Sequence, residues 1–293
     1  MNAGIRLARI RVVLLVILGT ALLGGCTALH HGFLGAEGPV AAQQRELFWK
    51  VAVILAFVVG PVLILTPLVA WHYRQSNTND AYRPNWNFSW TLEGFIWIPP
   101  VLIVIVLGVL VWVYTHRLDP YRPIAGGPPL QVQVIAADWK WLFVYPDGGV
   151  ASVDRLVVPV GRPVRLTLTS TTVMQSLMIP QLTGQIYTMA GMTTQLNLRA
   201  DRAGRYHGGN MQYNGTGFAH QSFAVEAVDP ASFRRWLADT ARTAPSFQPS
   251  GQVMLAQRAI VPAPRVFSRV PAGLFQSIIA TSGGRSHSHG TSQ

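Results

Sequence analysis

Two stretches of this sequence leave little choice of surroundings. Val51 to Trp71 and Gly94 to Thr115 contain no Asp, Glu, Lys or Arg. About 20 apolar residues in helical form cross the roughly 30 Å hydrocarbon layer of a bilayer. Each run therefore predicts a spanning helix, over 49–73 and 93–116. Trp49, Trp71, Trp97, Trp112 and Tyr114 sit near the ends of the runs, where interfacial aromatics collect. Pro61, Pro67, Pro99 and Pro100 fall inside them, which membrane helices accept when neighbours satisfy the freed carbonyls. A soluble helix of this length would carry a polar stripe. Neither run does.

The N-terminus reads as a leader over 1–25. Arg6, Arg9 and Arg11 precede an apolar stretch, Val12 to Leu23, too short to span a bilayer, and Leu23-Gly24-Gly25-Cys26 offers small residues at a cleavage point. That ending resembles a bacterial lipobox, which makes Cys26, the chain's single cysteine, the expected lipid attachment. With Cys26 so used, no disulfide is available. The expected layout is a lipidated periplasmic N-terminus at 26–48, a cytoplasmic loop at 74–92, and everything after the second span back on the periplasmic side.

Charged residues make up 12% of the chain and apolar residues 49%, against about 25% charged in ordinary soluble domains. The net charge of +11 falls to +8 (11 − 3) once Arg6, Arg9 and Arg11 leave with the leader. No Lys/Arg block is interleaved with aromatics, so nucleic acid is not an expected partner; membrane lipid is.

From Gln131 the pattern turns to period-two alternation, the mark of half-buried strands. Val132 and Val134 alternate with glutamines, Val164, Leu166 and Leu168 with Arg165 and threonines, Leu196 and Leu198 with Gln195 and Asn197. Turn residues at Pro146–Gly149, Val160–Pro163 and Asn214-Gly215 punctuate these runs. Such spacing predicts a β-sandwich over 117–228. Trp139, Trp141 and Phe143 are expected on one face of a strand, as core or as a subunit contact. Asp229-Pro230 reads as an N-cap and first helical turn for a helix over 229–243. The Pro/Gly/Ser/Arg-rich segment 244–293 is expected to be irregular.

Three segments carry a resemblance: ADWKWLFVYP at Ala137–Pro146, TSTTVMQSLMIPQLTGQIYTMAGM at Thr169–Met192, and YHGGNMQYNGTGFAHQSFAV at Tyr206–Val225. They resemble the cupredoxin domain of subunit II of haem–copper terminal oxidases. In the cytochrome c oxidase branch, two histidines and two cysteines there hold a dinuclear copper centre. Laid onto this chain, those ligand positions fall on Gln175, Gly209, Tyr213 and Gly217, none of which supplies a thiolate. The chain is thus similar to the quinol branch, subunit II of bo-type ubiquinol oxidases. This resemblance implies a membrane protein with two N-terminal transmembrane helices followed by an all-β cupredoxin-like Greek-key sandwich. It implies no metal, cofactor or catalytic residue on this chain. Haems and copper belong to subunit I, ubiquinol is the substrate of the complex, and subunits III and IV complete a proton-translocating assembly. It also puts a glutamate at the entrance of a proton-uptake route, which here falls on Glu93. The residue-level alternative is an acidic group at a helix N-terminus, favoured by the helix dipole.

Two other readings compete. Copper held by His207, Met211, His220, Met189 or Met192 would use acceptable Cu(I) ligands, although a blue-copper site also requires a cysteine. A free-standing lipoprotein using the sandwich only to bind partners is the second. Co-purification of haem separates it from an oxidase subunit.

Overall fold

The computed structural model describes residues 32–74 and 87–288. The expected leader with Cys26, residues 75–86 of the expected loop, and residues 289–293 lie outside the described residues.

Helix α1 (Pro39–His72) is 34 residues long and α2 (Trp90–Arg117) is 28, and both are apolar and long enough to cross a membrane. Helix α1 starts ten residues before the expected span. The segment between Pro39 and Trp49 is helix-forming without being apolar: Pro39 opens the first turn, and Ala, Gln, Arg, Glu and Leu follow. Hydropathy sees the membrane, whereas propensity sets where the helix begins. Ser89 caps α2, its hydroxyl accepting from the Leu92 N–H and its carbonyl from the Glu93 N–H. Lys50 near the start of α1 donates to Glu46 at 2.5 Å and to the Tyr114 hydroxyl at 2.9 Å near the end of α2, so the two helices run antiparallel. Along the two uncharged runs the outer surface is mostly apolar, with Phe57, Leu63, Phe95 and Trp97 among the exposed residues.

Residues 32–42 and 120–288 form a separate unit built on two sheets. The first has six strands: β1 (Leu130–Ala137), β2 (Lys140–Tyr145), β3 (Val150–Val153), β5 (Val164–Ser170), β8 (Thr194–Leu198) and β11 (Arg265–Phe267), in the order β11-β3-β2-β1-β5-β8. The second has five: β4 (Arg155–Pro159), β6 (Gln175–Met178), β7 (Gln185–Thr188), β9 (Gly204–Asn210) and β10 (Ser222–Val228), ordered β4-β10-β9-β6-β7. β1 pairs in parallel with β5 and β4 with β10, and every other named pairing is antiparallel. Between the sheets, Val132, Val134, Trp141, Phe143, Leu166, Leu168, Leu196, Phe223 and Val225 form the main core. Tyr145 lies there too, its hydroxyl donating to the Val157 carbonyl and accepting from the Val157 N–H.

Asp229 caps α3 (Pro230–Thr243) by accepting from the N–H groups of Ala231 and Ser232. Beyond it, the segment expected to be irregular is not. It forms α4 (Ser250–Ala256), β11 and α5 (Leu274–Ser288). The reason lies in the sheet it covers: Ile135, Leu142, Val144, Ala151 and Val153 face outward from the sandwich, and Phe247, Met254, Phe267, Leu274 and Phe275 close over them as a second core. Strands covered on both faces lose alternation and read as continuous apolar runs, as Trp141 to Tyr145 does.

Trp139 also departs from expectation. It is the turn residue between β1 and β2, with φ of +62°, and does not share the strand face of Trp141 and Phe143.

Candidate functional site

Four strand ends converge at one end of the sandwich. Ala137 closes β1, Gln175 opens β6, Asn210 closes β9, and Gln221 stands immediately before β10. Between the last two, the loop 211–221 passes through Asn214-Gly215 and a short 3-10 turn, Phe218–His220. Strand pairing fixes the approach: Leu177 faces Asn210 and Ser222 faces Gly209.

The interior of this end is a connected set of amides. Gln221 is buried and uses its whole hydrogen-bonding capacity. Its side-chain N–H groups donate to the Gln175 side-chain oxygen and to the Ala137 carbonyl at 3.3 Å. Its Oε1 accepts from Asn210 Nδ2 at 3.0 Å and Asn214 Nδ2 at 2.6 Å. Asn210 Oδ1 in turn accepts from the Ser176 and Gln212 N–H groups, each at 2.9 Å. Gln175 Nε2 donates to Ser170 Oγ at 3.4 Å and the Ala137 carbonyl at 3.5 Å. Buried polar groups are tolerated when paired in this way. Of these side-chain atoms Asn214 Oδ1 is buried without a partner, and the bonds that are made tie the loops they join.

The four positions singled out in the sequence are only partly gathered. Gln175 is inside the network and Gly209 lies in the strand beside it, where an added Cβ would meet the Gln221 carbonyl at an ordinary 3.5 Å. Tyr213 is 71% exposed and meets Phe218 at a tilt of 59°, with centroids 5.7 Å apart. Gly217 is buried because the Trp139 ring occupies the space a side chain would need, 2.1 Å from a Cβ built there. Arg258 of the C-terminal segment lies over the Trp139 ring, 5.4 Å from its centroid, and also reaches Asp138 at 3.7 Å. The residues that make the junction, Gln221, Asn210 and Asn214, were not foreseen. The only sequence signal was an unusual density of amides beside the aligned positions.

Among the described residues no group of three or more His, Cys, Asp and Glu side chains stands close enough to hold a metal ion. His207 and His220 are exposed, as are Met192 and Met211, while Met189 is half-buried. Glu93 sits in the first turn of α2, where its carboxylate accepts from Trp97 Nε1 at 2.9 Å across one helical turn.

At the junction of β3 and β4, beside the start of β2, burial raises the Asp154 carboxyl to about 7, against the hydrogen bond it accepts from the Trp141 N–H at 2.8 Å and the nearby Lys140 charge. Lys140 is itself buried, and desolvation holds its ammonium below the ordinary value despite Asp138 and Asp154.

The family model for the periplasmic domain of cytochrome c oxidase subunit II matches residues 149–228. Cytochrome bo(3) ubiquinol oxidase subunit 2 of Pseudomonas putida is 38% identical, over 91% of this chain and 84% of its own length. Ubiquinol oxidase subunit 2 of Acetobacter aceti is 39% identical, over 88% and 84% respectively. Among solved structures, the periplasmic domain of subunit II of the Bradyrhizobium japonicum cytochrome oxidase matches at 22% identity with a TM-score of 0.37, covering 39% of this chain and 95% of that domain.

Proposed function

This chain belongs to the family of ubiquinol oxidase subunit 2, and from that premise we propose that it is the subunit of a membrane quinol oxidase that holds no redox metal of its own. Its enzymatic role is that of a component of the oxidoreductase complex, and its fold is two apolar helices followed by a cupredoxin-like sandwich.

The amide junction carries the reading. A dinuclear copper centre needs bridging thiolates. The aligned positions offer Gly209, an exposed Tyr213, Gly217 and an amide at Gln175, and the interior is filled by Gln221 and the Trp139 ring. These residues do not fit such a centre. Electron transfer from ubiquinol to oxygen then falls to subunit I, with its haems and copper, and subunits III and IV complete the assembly. This chain anchors and caps subunit I. The same reading puts the sandwich and Cys26 on the periplasmic side of a bacterial inner membrane and residues 74–92 in the cytoplasm.

Purification through a tag on this chain tests the proposal. Haem absorbance and quinol oxidase activity should co-purify, with no thiolate–copper band or dinuclear copper EPR signal. A chain that purifies without haem, or with that copper signal, would overturn it.

Two finer assignments follow. Cys26 is the lipid attachment, so intact mass should show a lipidated Cys26 as the first residue of the mature chain. An unmodified Cys26 sinks that assignment. Glu93 serves proton uptake: a carboxyl at a helix entrance exchanges protons with the aqueous side, and ionisable groups at membrane depth commonly mark proton relays. Glu93→Ala and Glu93→Gln should each lower turnover in complexes with normal haem content, while Glu93→Asp retains much of it. Wild-type turnover in all three leaves Glu93 as a helix-end residue bonded to Trp97.

A further inference from the structure

A cavity of about 320 Å³ opens where the C-terminal segment crosses the start of β2, at the low end of the size range of small-molecule sites. Its walls are apolar: Val253 and Met254 come from α4, and Ile260 and Val261 from the segment that follows. Val253 is 53% exposed and Ile260 45%, so the apolar walls extend to solvent. No Asp or Glu lines the cavity, and its two charged residues, Lys140 and Arg265, are both basic.

Lys140 is the unusual member. It is 1% exposed, and its Nζ donates to the Gln257 carbonyl at 2.5 Å. An ammonium carries three N–H donors, and among the described residues no carboxylate lies within ion-pair distance of it. Asp138 and Asp154 act on it only at longer range. A buried cation is stable when a directly bonded anion offsets its lost hydration, and here most of that offset is missing from the chain itself. Arg265 adds an exposed second cation.

We propose that this cavity binds the anionic head of a single-chain amphiphile, a carboxylate or a phosphate, on Lys140 with Arg265 beside it, while the start of the acyl chain lies along Val253, Met254 and Ile260. The walls supply apolar burial for the chain, the ammonium supplies the charge-assisted bond that selects an anion, and a neutral alcohol of the same length gains only the first. The site is separate from the amide junction and does not depend on the oxidase assignment.

The test uses the full chain in phosphatidylcholine nanodiscs with three diazirine-tagged probes: decanoate, decyl phosphate and decanol. Cross-links are mapped by peptide mass spectrometry. Decanoate or decyl phosphate should label the 249–265 segment at up to one per chain, and whichever labels more strongly identifies the head group. Decanol should label about tenfold less, the size expected for losing one charge-assisted bond. Lys140→Met should bring the anionic probes down to the decanol level. Val253→Trp, a change at an exposed position that leaves the core intact, should block all three. Equal labelling by decanol, unchanged labelling in Val253→Trp, or label scattered over the domain would overturn the proposal. Lys140 is then only a tie between β2 and the C-terminal segment.

Discussion

The sandwich is closed in two different ways, and the contrast separates what shape can do from what pairing can do. Across the outer face of β1, β2 and β3, the closure is apolar: Phe247, Met254, Phe267, Leu274 and Phe275 lie on Ile135, Leu142, Val144, Ala151 and Val153. At the loop end the closure is polar, with Gln221 joined to Gln175, Asn210 and Asn214. The apolar seam gains from area and tolerates approximate geometry. The amide junction gains little net energy per bond but is costly to leave half-made. One closure stabilises; the other specifies.

The largest effect should come from breaking the seam. Phe247 is fully buried, packs edge-on against Phe267 with centroids 5.6 Å apart, and abuts Gly251. Phe247→Ala should cost about 3–5 kcal/mol through lost burial and the cavity left behind. Urea unfolding of the solubilised chain, followed by Trp fluorescence, would measure it. A cost below about 1 kcal/mol would mean the C-terminal segment rests on the sheet without stabilising it.

Next in size is Gln221→Leu. It strands the Gln175 oxygen and the Asn210 and Asn214 N–H groups in a buried setting, for about 2–4 kcal/mol. The sharper comparison is the double variant Gln175→Leu/Gln221→Leu, which should cost less than the sum of the two singles because both sides of one bond vanish together. Strict additivity in the same unfolding assay would show that the amides do not act as a unit.

The smallest effect is a pH dependence at Asp154, beside the seam. Its carboxyl stands at about 7 in the folded protein, against an ordinary 3.8, so folding favours the protonated form. That contribution is present in full below about pH 4 and is lost as pH rises through about 7. Stability should therefore fall between pH 5 and pH 8 by up to about 2–3 kcal/mol, read as a falling melting temperature. Asp154→Asn keeps an acceptor for the Trp141 N–H and carries no charge, so it should flatten the drift. An unchanged slope would assign the drift elsewhere.

What could be read ahead of the structure follows the same division. The two spans were legible because composition alone decides them: an uncharged run of that length has one comfortable solvent. The strands around Val132, Leu166 and Leu196 were legible because only one face of each pairs with the core, leaving a clean alternation. The C-terminal segment was not, since its order comes from the face it covers and not from its own Pro- and Gly-rich composition. The available signal was the unbroken run Trp141 to Tyr145, which asks for cover on both sides. Trp139 was misplaced because a Trp-x-Trp spacing suits a strand, whereas a positive φ puts the first ring against Gly217. The amide junction depends on partners 46 residues apart, Gln175 and Gln221, and no local pattern announces such a pair. The aligned copper positions pointed to the right end of the domain but named only one of the residues that hold it together.

The seam also has a schedule. Its sheet side is complete at Val153, yet its cover begins only at Phe247. At about 5–20 residues per second, synthesis leaves the outer face of β2 uncovered for on the order of ten seconds in every new molecule. A ribosome that stops early releases a sandwich with a bare apolar sheet face, the kind of surface that chaperones hold and proteases clear. The segment from Phe247 to Phe275 thus acts as a check on how far synthesis has gone, since only a chain read past Phe275 can hide Leu142 and Val144 with the full cover.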